Sequence, residues 1–244
     1  MKLTTIAASA AAIAVSGSAL AYQFEGTGTY IDLDDANDSI LAVEGVYFFA
    51  PIDDNGVPRA EADFLRRGSN VRAFYATADE ADVDTLGIGG EAYIQDFYAA
   101  AALTRTETGP VESDDLSLEV GFLPMDGVRF TLGYTDLDLA DANRISVNGK
   151  FVRPLAGDQA FNAEVTIGQT DFVEDIIDYG VLADYFVNSN LSFGLGYADT
   201  DADNSNETLT LRARMFFIPT LSAQIEYNSE DFNDSIELGV TGRF

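Results

Sequence analysis

Arg212 and Arg214 stand two residues apart in a stretch that alternates apolar and polar side chains, so in an extended chain both leave the same face. With Arg72 and Arg129, and opposed by Glu119, Glu164 and Glu226, they are the candidates for a pore-lining constriction. Such a ring of mixed charge selects ions and small polar solutes. Glu25, Glu44, Glu91, Arg144, Lys150, Asp184 and Glu237 fall on the same phase of their segments. The competing reading is a salt-bridged filling that closes the lumen.

Asp199, Asp201 and Asp203 begin a calcium-loop pattern, but Asn204 stands where Gly is needed and Thr210 where a bidentate Glu is needed. This is a weak metal candidate, and no cofactor is expected beyond calcium or magnesium held loosely by acidic loops. Catalysis is not expected. The chain has no histidine, so a Ser-His-Asp arrangement cannot form, and no cysteine, so thiolate metal sites and disulfides are excluded. With 41 Asp and Glu among 244 residues, paired carboxylates arise by chance. A net charge of -28 excludes nucleic acid as a partner, since phosphate needs a basic surface.

The elements that must carry these charges are strands. Leu209, Leu211, Ala213, Met215 and Phe217 alternate with polar residues, as do Leu221, Ala223, Ile225 and Tyr227, and Ile236, Leu238, Val240 and Gly242. A period of two marks a strand with two unlike faces. The same pattern predicts fourteen strands, over 22–32, 39–50, 69–78, 85–94, 97–106, 115–123, 128–136, 143–153, 160–170, 177–187, 191–199, 207–217, 221–229 and 235–244. Twelve or sixteen are the alternatives. Most are close to the ~9–11 residues that cross a bilayer as a tilted strand. Aromatics near the strand ends, among them Tyr22, Phe24, Tyr47, Tyr93, Phe122 and Phe217, are read as interfacial girdles.

The connections alternate between two kinds. One kind is short, as at 95–96, 124–127, 154–159, 188–190 and 218–220. The exception is 51–68, whose piece 60–65 is read as a helical turn or a plug-like excursion. The other kind is acidic: the windows 32–38, 79–84, 107–115, 136–141, 171–178, 199–207 and 230–234 hold 26 of the 41 acids and no Lys or Arg. This is the connectivity of an all-β, up-and-down antiparallel barrel across a membrane. Bacterial barrels keep their longer loops outside, which places the acidic loops there, where they favour cations. Barrels of about eight strands are filled and those of 16–18 leave a channel, so fourteen predicts a narrow open lumen. A soluble β-sandwich would alternate too, with its apolar face turned inward.

Residues 1–21 are read as a secretory signal peptide. Lys2 supplies a positive charge, Ile6 to Val15 an apolar run, and Ala19-Leu20-Ala21 a cleavage site. Residues 22–244 then form one barrel domain.

The segment Ile236, Glu237, Leu238, Gly239, Val240, Thr241, Gly242, Arg243, Phe244 resembles the C-terminal signature of Gram-negative outer-membrane proteins. In that group an alternating apolar strand ends on Phe, which the barrel-assembly machinery reads. The whole mature chain is similar to the small porins of marine proteobacteria, through Tyr47 to Pro51, Ala60 to Leu65 and Gly89 to Tyr93. The resemblance implies a bacterial outer-membrane location, lipid and the assembly machinery as partners, and passive diffusion of ions and small polar solutes. Homotrimers are common among classical porins, though no self-association patch stands out on the lipid face. The alternative function is a structural or adhesive surface barrel with a blocked lumen and divalent-cation-binding loops.

Overall fold

A computed structural model describes residues 21–34, 38–78, 80–171, 175–202, 207–230 and 234–244. The expected signal peptide, except Ala21, lies outside the described residues, as does Asp203. Fourteen strands run in chain order: β1 (Ala21–Leu33), β2 (Asp38–Asp53), β3 (Asn70–Ala78), β4 (Val83–Ile94), β5 (Phe97–Thr108), β6 (Val111–Met125), β7 (Val128–Leu137), β8 (Ala142–Pro154), β9 (Ala160–Asp171), β10 (Ile176–Asn188), β11 (Leu191–Thr200), β12 (Thr208–Ile218), β13 (Leu221–Glu230) and β14 (Ser235–Arg243). Each pairs antiparallel with its sequence neighbour, and β1 pairs with β14 to close the barrel. Closure leaves no strand edge, the condition for a sheet whose backbone must be satisfied in lipid.

The alternation sorts the faces as expected. Leu86, Ile88, Leu103, Val120, Leu132, Val147, Ile167, Leu195, Leu211 and Ile225 point outward and are exposed, a band of apolar side chains around the barrel. Ser146, Asn162, Asp184, Ser192 and Ser222 on the other phase are buried. The apolar face is therefore outside, which rules out the soluble alternative with its inward core.

The outer aromatics divide by end. Phe97 and Phe122, with ring centres 5.8 Å apart, and Phe24 and Phe244, at 6.1 Å, lie toward the short turns. Toward the acidic end, tyrosines donate hydroxyls to carboxylates: Tyr75 to Asp84 (2.6 Å), Tyr179 to Asp199 (2.8 Å) and Tyr227 to Asp234 (2.7 Å). Such rings are amphipathic, with an apolar body and a wet tip.

Three details correct the sequence reading. Tyr22 and Tyr93 are not girdle residues. A register shift after Tyr22 turns its ring inward against Phe48, and Tyr93 lies on the inner phase of β4, where its hydroxyl accepts a bond from Arg129. The window 107–115 is not an open loop but a continued hairpin, with Glu107 opposite Glu112 and Arg105 bonded to Asp114 at 2.7 and 2.8 Å. Polar strands extend past the apolar band because water solvates both faces there.

Candidate functional site: the lumen and its plug

The connection between β2 and β3 departs from the short-turn pattern, and it determines the form of the lumen. After β2 the chain makes a 3-10 turn, Arg59–Glu61, and a one-turn helix, α1 (Ala62–Leu65). Ala62 and Phe64 are buried, and Ala62 packs with Tyr22, Val46, Phe48 and Ile52. The excursion then meets distant parts of the wall. The Arg59 backbone N–H donates to the Ser189 carbonyl (3.0 Å), and the Arg59 carbonyl accepts from Arg243 (2.9 Å). Arg67 reaches the other turns, bonding Asp96 at 3.1 Å and Asp126 at 3.2 Å. Contacts with β7, β8, β14 and three short connections put this segment across the barrel mouth. It is the plug-like alternative of the sequence reading, and the narrow open lumen expected from strand number alone does not describe this end.

Charge pairing ties the plug to the wall. Lys150 on β8 meets Glu61 of the plug at 2.8 Å and Glu164, its cross-strand partner on β9, at 3.1 Å. Asn162 donates to both Glu164 and Asp184, each at 2.9 Å. Asp184 then receives two bonds from Arg212, at 2.7 and 2.5 Å. A continuous polar chain thus runs from the plug through β8, β9 and β10 to β12. Burial pushes the Glu61 carboxyl above its ordinary range, against the opposing pull of Lys150.

Arg212 reaches Asp184 across β11 because Gly194 lies between them. Gly194 is the register partner of both, and a side chain there would meet the Arg212 Cγ at 2.6 Å. The same device recurs one strand pair away. Arg144 bonds Asp178 at 3.0 and 2.6 Å over Gly168, where a Cβ would lie 2.7 Å from the Arg144 Cζ.

The predicted pore-lining residues fall into four groups. Arg212 and Glu164 are committed to the chain just described. Arg129 lies among aromatic rings of the wall and the plug: it donates to Tyr93 at 2.6 Å, and its guanidinium lies 4.1 Å from the Tyr98 ring centre and 5.4 Å from that of Phe64. Glu119 accepts from Thr131 and, at 3.3 Å, from Asn148, and Glu226 accepts from Asn228 at 3.3 Å, so neither acid forms an ion pair with the arginines. Arg72 and Arg214 have no carboxylate partner among the described residues. Arg72 is exposed on the inner phase of β3, and Arg214 donates to Gln224. Asp199 and Asp201 are engaged locally, with Tyr179 and with the Ile177 backbone N–H (2.6 Å).

A family model described as "Putative general bacterial porin" matches residues 1–134, more than half of the chain. The chain belongs to this porin family. Among solved structures, the porin is similar to the Acinetobacter baumannii outer membrane protein Omp33, with 27% identity, a TM-score of 0.80, and 92% of this chain and 99% of that chain covered. The KdgM porin shares the fold at 8% identity and a TM-score of 0.51, over 90% of this chain and 99% of that one. A mutant of the Rh. blastica porin does so at 11% and 0.51, over 91% and 99%. Among curated proteins no match is found. Family and fold together make this an outer-membrane porin barrel.

The functional residues missed in the sequence are Asn162, Asp184 and Glu61 as links of one chain. Asp184 was visible as an inward charge, and its direct pairing with Asn162 across β9 and β10 follows from strand register. Glu61 carried no such signal, because nothing in the 51–68 sequence states which wall it meets.

Proposed function

We propose that this porin passes ions and small polar solutes by passive diffusion, with a preference for cations, and that the 51–68 segment gates it from the periplasmic side. The observation that carries the reading is the plug itself. It docks through ion pairs, hydrogen bonds, one aromatic cluster and a small apolar cluster around Ala62, none of which belongs to the strand ladders, so it can leave while the ladders stay intact. Unpaired inner charges such as Arg72 suit a water-filled lumen above it. Acidic residues at the opposite end raise the local concentration of cations, an effect screened over about 8–10 Å in saline.

The docked plug also favours a second reading, a structural barrel whose lumen stays blocked. Planar-bilayer recording of the refolded full-length protein under a salt gradient separates the two. Discrete conductance steps with a cation-selective reversal potential are expected. Silence under all voltages and salts leaves the blocked barrel.

A further inference from the structure

A pocket of about 210 Å³ opens on the inner wall, on β1, β2 and β12 to β14, beside the seam where the barrel closes. At roughly 30 Å³ per water, it has room for about seven waters, the size of a small metabolite and too small for an oligosaccharide. Three carboxylates, Glu25, Glu44 and Glu237, and two guanidiniums, Arg214 and Arg243, line it. Glu25 and Arg243 neutralise each other at 2.7 Å. The other three charges have no ion-pair partner among the described residues.

Arg214 is held on one edge only. Its Nε donates to the Gln224 Oε1 at 2.7 Å and its Nη2 bonds the same oxygen, which leaves Nη1 without an acceptor among the described residues. A guanidinium carries five N–H donors in a fixed fork, so its free end presents a ready site for a carboxylate. Glu44 and Glu237 make no hydrogen bond or ion pair among the described residues, and they present acceptors for an ammonium. Strand register sets the spacing. Arg214 pairs with Gln224, Gln224 with Gly239 and Gly239 with Thr29, so these four share one rung. Glu237 lies two residues along β14 from that rung, about 7 Å at ~3.4 Å per residue, and two strand spacings of about 4.8 Å across from Arg214. Gly239 keeps the floor open: a Cβ there would have no neighbour closer than 3.8 Å.

We propose that this pocket binds a small zwitterion, a solute with a carboxylate at Arg214 and an ammonium at Glu237 or Glu44. A simple anion would meet the two unpaired carboxylates. A simple cation would leave the Arg214 donors unmatched and would lie beside a positive charge. A solute that carries both groups satisfies both ends, with charge-assisted bonds that are about twice as strong as neutral ones. The proposal rests on the reading of the barrel as a diffusion porin and narrows its solute class.

Its test is direct binding, measured without current, so a negative result here and a silent bilayer are separate findings. γ-Aminobutyrate is titrated onto the full-length protein in detergent micelles by calorimetry, with butyrate and butylamine as half-probes. Saturable binding of γ-aminobutyrate is expected, with each half-probe weaker by about tenfold or more. Arg214→Gln should abolish binding of both γ-aminobutyrate and butyrate. Glu237→Gln should weaken γ-aminobutyrate while butyrate binds as well or better, and Gly239→Leu should fill the pocket and block every probe. Heat-modifiable gel mobility checks that each variant is folded. Absence of saturable binding to the unaltered protein overturns the proposal. So does binding that folded Arg214→Gln and Gly239→Leu proteins retain in full.

Discussion

Asp184 is the residue on which the inner wall depends most. It is 2% exposed and satisfied by Arg212 and Asn162. Removing one partner of a buried ion pair strands the other charge, at a cost of about 3–5 kcal/mol. Arg212→Met should therefore lower the thermal midpoint of the barrel markedly, and adding Asp184→Leu should recover most of the loss. A melting series by circular dichroism reads both. Gly194→Leu should resemble Arg212→Met, because its side chain displaces the pair rather than deleting it. At this scale the sequence was partly legible. Strand phase identifies Arg212 as inward, since alternation is local. Its partner is not legible, because the choice between Glu164, Glu226 and Asp184 depends on the absent side chain of Gly194 on the strand between Arg212 and Asp184.

The plug is an element whose docking should follow pH. Glu61 faces Lys150, Glu164 and Asp63, and its carboxyl is raised when docked, with burial as the leading cause. A group with a raised pKa in the docked state binds a proton more readily there than in free solution, near pH 4.3. Its contribution to docking is thus complete in acid and is lost as pH rises through the docked value. Acidification from about pH 7 toward pH 4 should lower the open probability in bilayers. Glu61→Gln should remove that dependence and hold the plug closed across the range. An open probability that rises in acid would contradict this direction. Phe64 is the aromatic anchor, buried beneath Arg129 and 5.1 Å from the Lys150 ammonium. Phe64→Ala removes about 3 kcal/mol or more of packing and should leave the plug open more often, seen as longer open times in the same recordings. Most strand ends were legible to within one or two residues, for example 128–136 against Val128–Leu137, while Val111–Met125 begins four residues before the expected 115–123. Within 51–68 the sequence suggested an excursion but not its direction, because no periodicity constrains a segment that packs against six separate strands and turns.

The whole molecule separates its charge. The outer band is apolar, described acids such as Asp84, Asp199 and Asp234 lie at the end opposite the short turns, and the lumen carries both signs. This segregation reconciles 47% hydrophobic residues with a net charge of -28 in one folded chain. The acidic end should give cation selectivity that weakens as salt rises, because the Debye length shortens from about 10 Å at 0.1 M to 3 Å at 1 M. Reversal potentials measured at the two ionic strengths check this, and an anion-selective or salt-independent result would contradict it. Composition made the segregation legible, whereas the closed mouth needed the tertiary path of a single connection.

The chain has no native cysteine, which permits a reversible test of the gate. Ala60 of the plug and Ser189 of the β10–β11 turn line the same small gap, so Ala60→Cys with Ser189→Cys can tether the plug to the wall. Single-channel recording of this variant before and after a reductant is the most direct measurement. The expected result is a silent barrel when oxidised and discrete cation-selective steps once the tether is cut. Equal conductance in both states would show that the plug does not gate the pore.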